Sequence, residues 1–257
     1  MTEWIVLGGA AFAAGLVDAV AGGGGLVLMP ALFSAFPEAP PARLLGTNKI
    51  AGIVGTVAAG LRYRRVVEIS WRTVAPMLVA AFIASLAGAW AISLVPGTLV
   101  RQGLPVVLAL LFLYMLLKPN LGAEHKPHLS GWREAVVAVL TGVVLGFYDG
   151  LFGPGTGSFL MFAFVRIFGF DFLNASASTK LVNVATNFAA ILLFAVTGQL
   201  WWQLGLTMAL ANLAGSQVGS WLAIRHGSGF VRKIFLVVVL TLLVKTAIDA
   251  FWHLYSF

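Results

Sequence analysis

No cysteine occurs among the 257 residues. That absence removes a disulfide framework, a thiol nucleophile and every cysteine-based metal site. Charge is nearly as scarce: Asp, Glu, Lys and Arg make up 10% of the chain, against about 25% in an ordinary soluble domain. A soluble fold of this length cannot cover its surface with so few charges. The histidines His125, His128, His226 and His253 fall in loops or at the C-terminal end without metal-ligand spacing, so no metal and no cofactor is expected. Met1–Trp4 carries neither a basic n-region nor a small-residue cleavage site. It reads as the start of a helix and not as a cleaved signal.

What the chain has in excess is apolar sequence, 60% of the residues. Uninterrupted runs cover Val74–Val95, Gly103–Leu117, Leu181–Val196 and Ile234–Val244. A bilayer-spanning helix needs roughly 20 mostly apolar residues, so the fold class is an all-α polytopic helical bundle with the lipid bilayer as solvent. The whole of 1–257 is expected to form one transmembrane domain. Trp4, Trp71, Trp132, Trp201, Trp202 and Trp252 lie near segment ends, as in an interfacial aromatic belt. The net charge of +7 does not point to nucleic acid. Its basic residues sit mostly in short loops between apolar runs, the pattern of membrane topology.

The chain repeats itself at a single ungapped offset of 131 residues, the separation of Asp18 and Asp149. At that offset Glu3 meets Glu134, Gly15 meets Gly146, Gly22 meets Gly153, Gly24 meets Gly155 and Lys49 meets Lys180. Trp71 meets Trp202, Ser85 meets Ser216, Gly88 meets Gly219, Trp90 meets Trp221 and Arg101 meets Arg232. Glycine, tryptophan and charged residues are the types least expected to coincide in a Leu/Ala/Val background, so the coincidence marks a duplication. Repeat 1 covers about 1–118, a polar linker about 119–131, and repeat 2 about 132–257. Each half opens with an apolar segment, a Gly-rich break and a short apolar arm. Three longer segments follow, near 44–62, 73–95 and 99–117 in the first half and near 175–196, 204–224 and 229–249 in the second.

The distribution of Lys and Arg sets the orientation. If each Gly-broken opening enters and leaves on one side as a hairpin, that side receives Arg62, Arg64, Arg65, Arg72, Lys118, Lys126, Arg133, Arg166, Arg225, Arg232 and Lys233. The other side receives only Arg43 and Arg101. If the opening crosses once, the same residues divide almost evenly. The hairpin arrangement makes the halves inverted repeats, with both termini outside and the linker in the cytoplasm. The arm Leu26–Phe36 is about 16 Å long at 1.5 Å per residue, too short for a core of about 30 Å. Whether each hairpin is re-entrant or fully spanning stays open at this level. Inverted repeats with broken helices are a recurrent transporter plan, with the site near the midplane.

Three paired features carry the chemistry. The breaks Gly22, Gly23, Gly24, Gly25 and Gly153, Gly155, Thr156, Gly157, Ser158 each precede a short helix, whose N-terminal N–H groups and dipole suit an anion. A tight turn between packed helices is the structural alternative. Thr47, Asn48, Lys49 and Ser178, Thr179, Lys180 place a lysine inside each half. In an inverted pair the two lysines converge on one central anion, unless they merely snorkel to water. Asn183 and Asn187 lie beyond Lys180 on the same helix, where their repeat partners are Gly52 and Thr56, so the site is expected to be asymmetric. Asp18 and Asp149 precede the breaks by four residues, as proton-coupling groups, lysine partners or caps for the glycine loop.

The run Gly-Leu-Val-Asp-Ala-Val-Ala-Gly-Gly-Gly-Gly from Gly15, the Gly-Thr-Asn-Lys ending at Lys49, the Gly-Phe-Tyr-Asp-Gly-Leu-Phe-Gly-Pro-Gly-Thr-Gly from Gly146 and the Ala-Ser-Thr-Lys ending at Lys180 resemble the sulfite exporter TauE/SafE family over essentially the whole chain. The resemblance implies a bacterial inner-membrane transporter, not an enzyme, handling sulfite, a sulfonate or a related sulfur-containing anion. The partners are then a small anionic substrate and the bilayer, with homo-oligomer formation left open. Two other classes compete. One is an intramembrane aspartyl protease using Asp18 and Asp149 as a dyad; the other is a non-transporting membrane scaffold.

Overall fold

The structure, a computed structural model, describes residues 2–92, 122 and 124–255. The segment expected near 99–117, with Arg101 and Lys118, lies outside the described residues, as do the side chains of Glu3, Trp252 and His253.

The described residues form helices α1 (Thr2–Ala21), α2 (Gly24–Ala35), α3 (Pro41–Tyr63), α4 (Trp71–Ala91), α5 (Gly131–Leu151), α6 (Thr156–Arg166), α7 (Phe172–Val196) and α8 (Trp202–Tyr255). Gly227 interrupts α8 with φ 71° and ψ −170°. Five helices, α1, α3, α4, α5 and α7, are long and apolar enough to cross a membrane. The arms α2 and α6 have 12 and 11 residues and are too short to do so alone. The glycine breaks are narrower than the sequence suggested. Gly24 and Gly25 already belong to the first turn of α2, and Thr156 and Gly157 to that of α6.

Local sequence explains the boundaries. Pro41 opens α3 at a position where its missing N–H costs nothing. Asp171 caps α7, accepting from the N–H groups of Leu173 at 2.7 Å and Asn174 at 3.0 Å. In α5 the small residues Ala138, Gly142, Gly146 and Gly150 face inward, while Trp132, Leu140 and Val144 are exposed on the outside. Small-in, large-out is how helices pack in lipid, where close backbone approach replaces the hydrophobic drive.

The tightest helix pairs join the two sequence halves: α4 packs along α5, and α1 along α8. A Cβ on Gly146 would collide with the Ala81 backbone, and one on Gly15 with the Asn212 backbone. A Cβ on Gly88 would strike the carbonyl of Phe147, and one on Gly219 that of Leu16. Ser85 Oγ donates to the Thr186 carbonyl at 3.0 Å, and Ser216 Oγ to the Gly55 carbonyl at 2.5 Å. Each contact maps onto its partner under the 131-residue offset with the halves exchanged. Two interlocked bundles result, α1–α2–α3–α8 and α4–α5–α6–α7, each holding helices from both halves. The linker straps the second: Lys126 N–H bonds the Gly169 carbonyl at 2.8 Å, and Phe172 N–H bonds the Gly122 carbonyl at 3.0 Å.

Candidate functional site

The glycine breaks meet where the bundles touch. Gly22 and Gly153, with φ of 75° and 82°, turn the chain back after α1 and α5. These are left-handed conformations that favour glycine. The backbones of Gly22 and Gly157 are in such close contact that a Cβ on either would strike the other. No side chain caps the N-terminus of α2 or α6, so the positive ends of both helices are left facing the centre.

Beside this contact lies a cavity of about 50 Å³. Of the residues singled out from sequence, Asp18, Gly22, Gly24, Gly25, Asn48, Lys49, Asp149, Gly153, Gly155, Thr156, Gly157, Asn183 and Asn187 line it. Gly23 does not, and faces the side chain of Val238. Thr47 is occupied elsewhere, donating to the Arg43 carbonyl at 2.7 Å, and Ser158 donates to the Ala21 carbonyl at 2.9 Å. Ser178 and Thr179 are buried away from it. Ala14, Leu28, Gly52, Thr56 and Asn212 also line the cavity and were not proposed from sequence. Gly52 and Thr56 were visible as the repeat partners of Asn183 and Asn187. Asn212 had only the signal of a lone amide in an apolar run.

The lysines do not snorkel. Lys49 Nζ donates to Asp149 Oδ2 at 2.5 Å, with both side chains at most 5% exposed. Lys180 Nζ donates to Asp18 Oδ2 at 3.0 Å and also bonds the Asp18 backbone carbonyl. Thr56 Oγ1 donates to the same Asp18 oxygen at 3.2 Å. Nor do the two lysines converge on one point. Lys180 is 0% exposed, so Lys49 is the one lysine on the cavity wall among the described residues. The physical reason is pairing: a buried ammonium needs a compensating acceptor, and each aspartate supplies it across the bundle interface.

Asp171 anchors the helix that carries Asn183 and Asn187. Its partial burial favours the neutral acid, but hydrogen bonds from the Asn174 backbone and side chain, the Ser228 hydroxyl and the Leu173 N–H outweigh this and hold its pKa below the usual carboxylate value. The Ser228 bond, at 2.8 Å, ties α7 to the kink in α8. No group of three or more His, Asp or Glu side chains suited to a metal occurs among the described residues.

Comparison with known proteins gives a consistent picture. The profile of the family described as Sulfite exporter TauE/SafE matches residues 7–246. The chain is 38% identical over 240 residues to the "Probable membrane transporter protein ORF9" of Sinorhizobium sp, covering 93% of this chain and 90% of that one. It is 35% identical over 243 residues to the "Probable membrane transporter protein YfcA" of Escherichia coli K12, covering 93% and 88%. It is 32% identical over 241 residues to a "Probable membrane transporter protein" of Haemophilus influenzae, covering 94% and 93%. No solved structure gives a significant match.

Proposed function

The chain belongs to the sulfite exporter TauE/SafE family, and from that premise we propose that it is a secondary transporter of a small sulfur-containing oxyanion, sulfite first among them, bound in the central cavity. The observation that carries this is the cavity wall itself. One ammonium, from Lys49, stands with the amides of Asn48, Asn183, Asn187 and Asn212 and the first turns of α2 and α6, beside the carboxylates of Asp18 and Asp149. The ammonium, the amide N–H groups and the two helix N-termini supply hydrogen-bond donors, the chemistry of oxyanion recognition.

Size narrows the class. A water needs about 10–15 Å³ of comparable cavity space, so about 50 Å³ suits a group of a few heavy atoms such as sulfite. A long organosulfonate needs a wider opening. The aspartyl-protease alternative requires two carboxylates sharing one proton, whereas Asp18 and Asp149 are each held by a lysine. In this proposal the two repeats are inverted in a bacterial inner membrane, the linker is cytoplasmic, and the chain is not an enzyme. Purified protein in liposomes with radiolabelled sulfite is the direct test. Accumulation or release above that of protein-free liposomes is expected, and its absence for sulfite and other small sulfur oxyanions would sink the proposal.

A further inference from the structure

The Lys49 ammonium already holds an anion in this structure, the Asp149 carboxylate at 2.5 Å, and both side chains line the cavity. Lys49 is the one described donor to that carboxylate. The equivalent acid is anchored differently. Asp18 accepts from Lys180 and, through a hydroxyl proton shared with the Gly52 carbonyl, from Thr56, and Lys180 is fixed a second time by the Asp18 backbone carbonyl. The duplication shows where the difference arises: the repeat partner of Thr56 is Asn187, which has no described hydrogen bond to Asp149. In one ion pair the lysine is fully buried, tied twice to Asp18 and off the cavity wall; in the other the lysine has a single tie and both partners line the cavity.

We propose that Asp149 is the resting counter-anion of Lys49, a tethered competitor that the transported anion must displace, and that it thereby sets the affinity of the site and drives release. This rests on the proposed reading of the cavity as an anion site. A bare buried ammonium is costly, so Lys49 keeps a negative partner whether the cavity is empty or loaded. A tethered carboxylate acts at a high effective concentration. It weakens the apparent affinity for any free oxyanion and returns to Lys49 once that anion leaves. The exchange is also mechanical, because the Lys49–Asp149 pair joins α3 of one bundle to α5 of the other. Substrate entry removes that tie, while Lys180–Asp18 stays closed.

Sodium sulfite binding to purified protein, measured by isothermal titration, tests this. Asp149→Asn removes the competitor and should tighten sulfite binding by about ten- to a hundredfold. Asp18→Asn removes the same charge from the cavity wall but frees a lysine that is fully buried and does not line the cavity, so it should tighten binding by clearly less than Asp149→Asn. In liposomes Asp149→Asn should transport more slowly than wild type, since nothing displaces the bound anion. Sulfite binding to wild type with equal or weaker binding to Asp149→Asn overturns the competitor role and leaves the anion site standing. Absence of binding in both overturns the two together. Should Asp149→Asn not fold, Asp149→Glu carries the test. It keeps the competing charge within reach of Lys49, so sulfite affinity should stay within about threefold of wild type, and tightening by about tenfold or more with the charge retained overturns the proposal.

Discussion

Lys180 reaches Asp18 across the same internal relationship by which Lys49 reaches Asp149, so each lysine is neutralised by the acid of the other sequence half. The two pairs hold the bundles together at the level of the cavity. They are equivalent in sequence and unequal in setting. The Asp18 side chain is 18% exposed and carries an extra Thr56 bond, whereas Asp149 is 5% exposed with Lys49 as its described donor.

The pairing sets the cost of removing one partner. Lys180→Met leaves the Asp18 carboxylate with Thr56 alone and should destabilise the protein by about 3–5 kcal/mol. The double variant Lys180→Met/Asp18→Asn leaves no unpaired charge and should recover part of that loss. Thermal unfolding in detergent, run as a double-mutant cycle, measures the difference. Additive losses would mean that the pair contributes nothing as a pair.

Glycine substitutions should separate turn geometry from packing. Gly157→Ala puts a methyl into the Gly22 backbone and should cost about 1–3 kcal/mol through overpacking. Gly155 has φ 88°, with the nearest obstacle the end of the Leu26 side chain at 3.2 Å, so Gly155→Ala should cost about 1–2 kcal/mol, mainly from its left-handed backbone. Gly52 lines the cavity with nothing within 4 Å of an added Cβ. Gly52→Ala should therefore melt like wild type, and a large drop in its melting temperature would contradict the packing described.

Much of this was legible before any coordinates. Helical class and bilayer solvent followed from composition and from the long apolar runs. The arms α2 and α6 were visible as short apolar pieces behind glycine. What sequence did not yield was pairing across the halves. Lys49 and Asp149 are 100 residues apart, and each has a nearer alternative in its own half. Only three-dimensional interlocking of the bundles decides between them. Thr56 was visible as the repeat partner of Asn187, but its bond to Asp18 was not, because a threonine in an apolar helix usually bonds its own backbone, as this one also does to the Gly52 carbonyl at 2.9 Å.

Orientation in the membrane is open to direct labelling, since the chain has no cysteine of its own. Single cysteines replacing Arg64, His125 or Gly227 should react with impermeant maleimide only from the cytoplasmic side, and those replacing Ala39 or Gly198 only from outside. Labelling of Ala39 and Gly198 positions from opposite faces would rule out the inverted hairpin arrangement.

Asp171 predicts an acid limb in the stability profile. Its folded pKa is depressed, so its contribution is complete above the ordinary carboxylate value of about 4 and is lost as pH falls through the lower folded value. Asp171→Ala should lower stability by about 0.5–2 kcal/mol at neutral pH, the usual worth of such a cap. The gap between variant and wild type should close in strong acid. Melting temperatures at pH 7 and near pH 3 test both points, and a gap that widens in acid would show that the cap is not acting as a carboxylate.

The interlocking of the halves predicts which cross-links the transport cycle tolerates. Phe82 of α4 and Phe188 of α7 come from different sequence halves but pack in one bundle, ring centroids 6.4 Å apart. Gly46 of α3 and Phe194 of α7 face each other across the bundle interface, with 3.2 Å between a Cβ built on Gly46 and that of Phe194. If the bundles are the units that move against each other, a short bismaleimide joining cysteines at Phe82 and Phe188 leaves sulfite flux near the uncross-linked level. The same reagent at Gly46 and Phe194 reduces flux by about tenfold or more, a barrier increase of about 1.4 kcal/mol. Each double-cysteine protein before cross-linking is its own control for the substitutions. Movement of one sequence half against the other makes the opposite forecast for the first pair, because Phe82 and Phe188 would then have to separate. Loss of flux on linking Phe82 to Phe188 would therefore assign the motion to the sequence halves and not to the interlocked bundles.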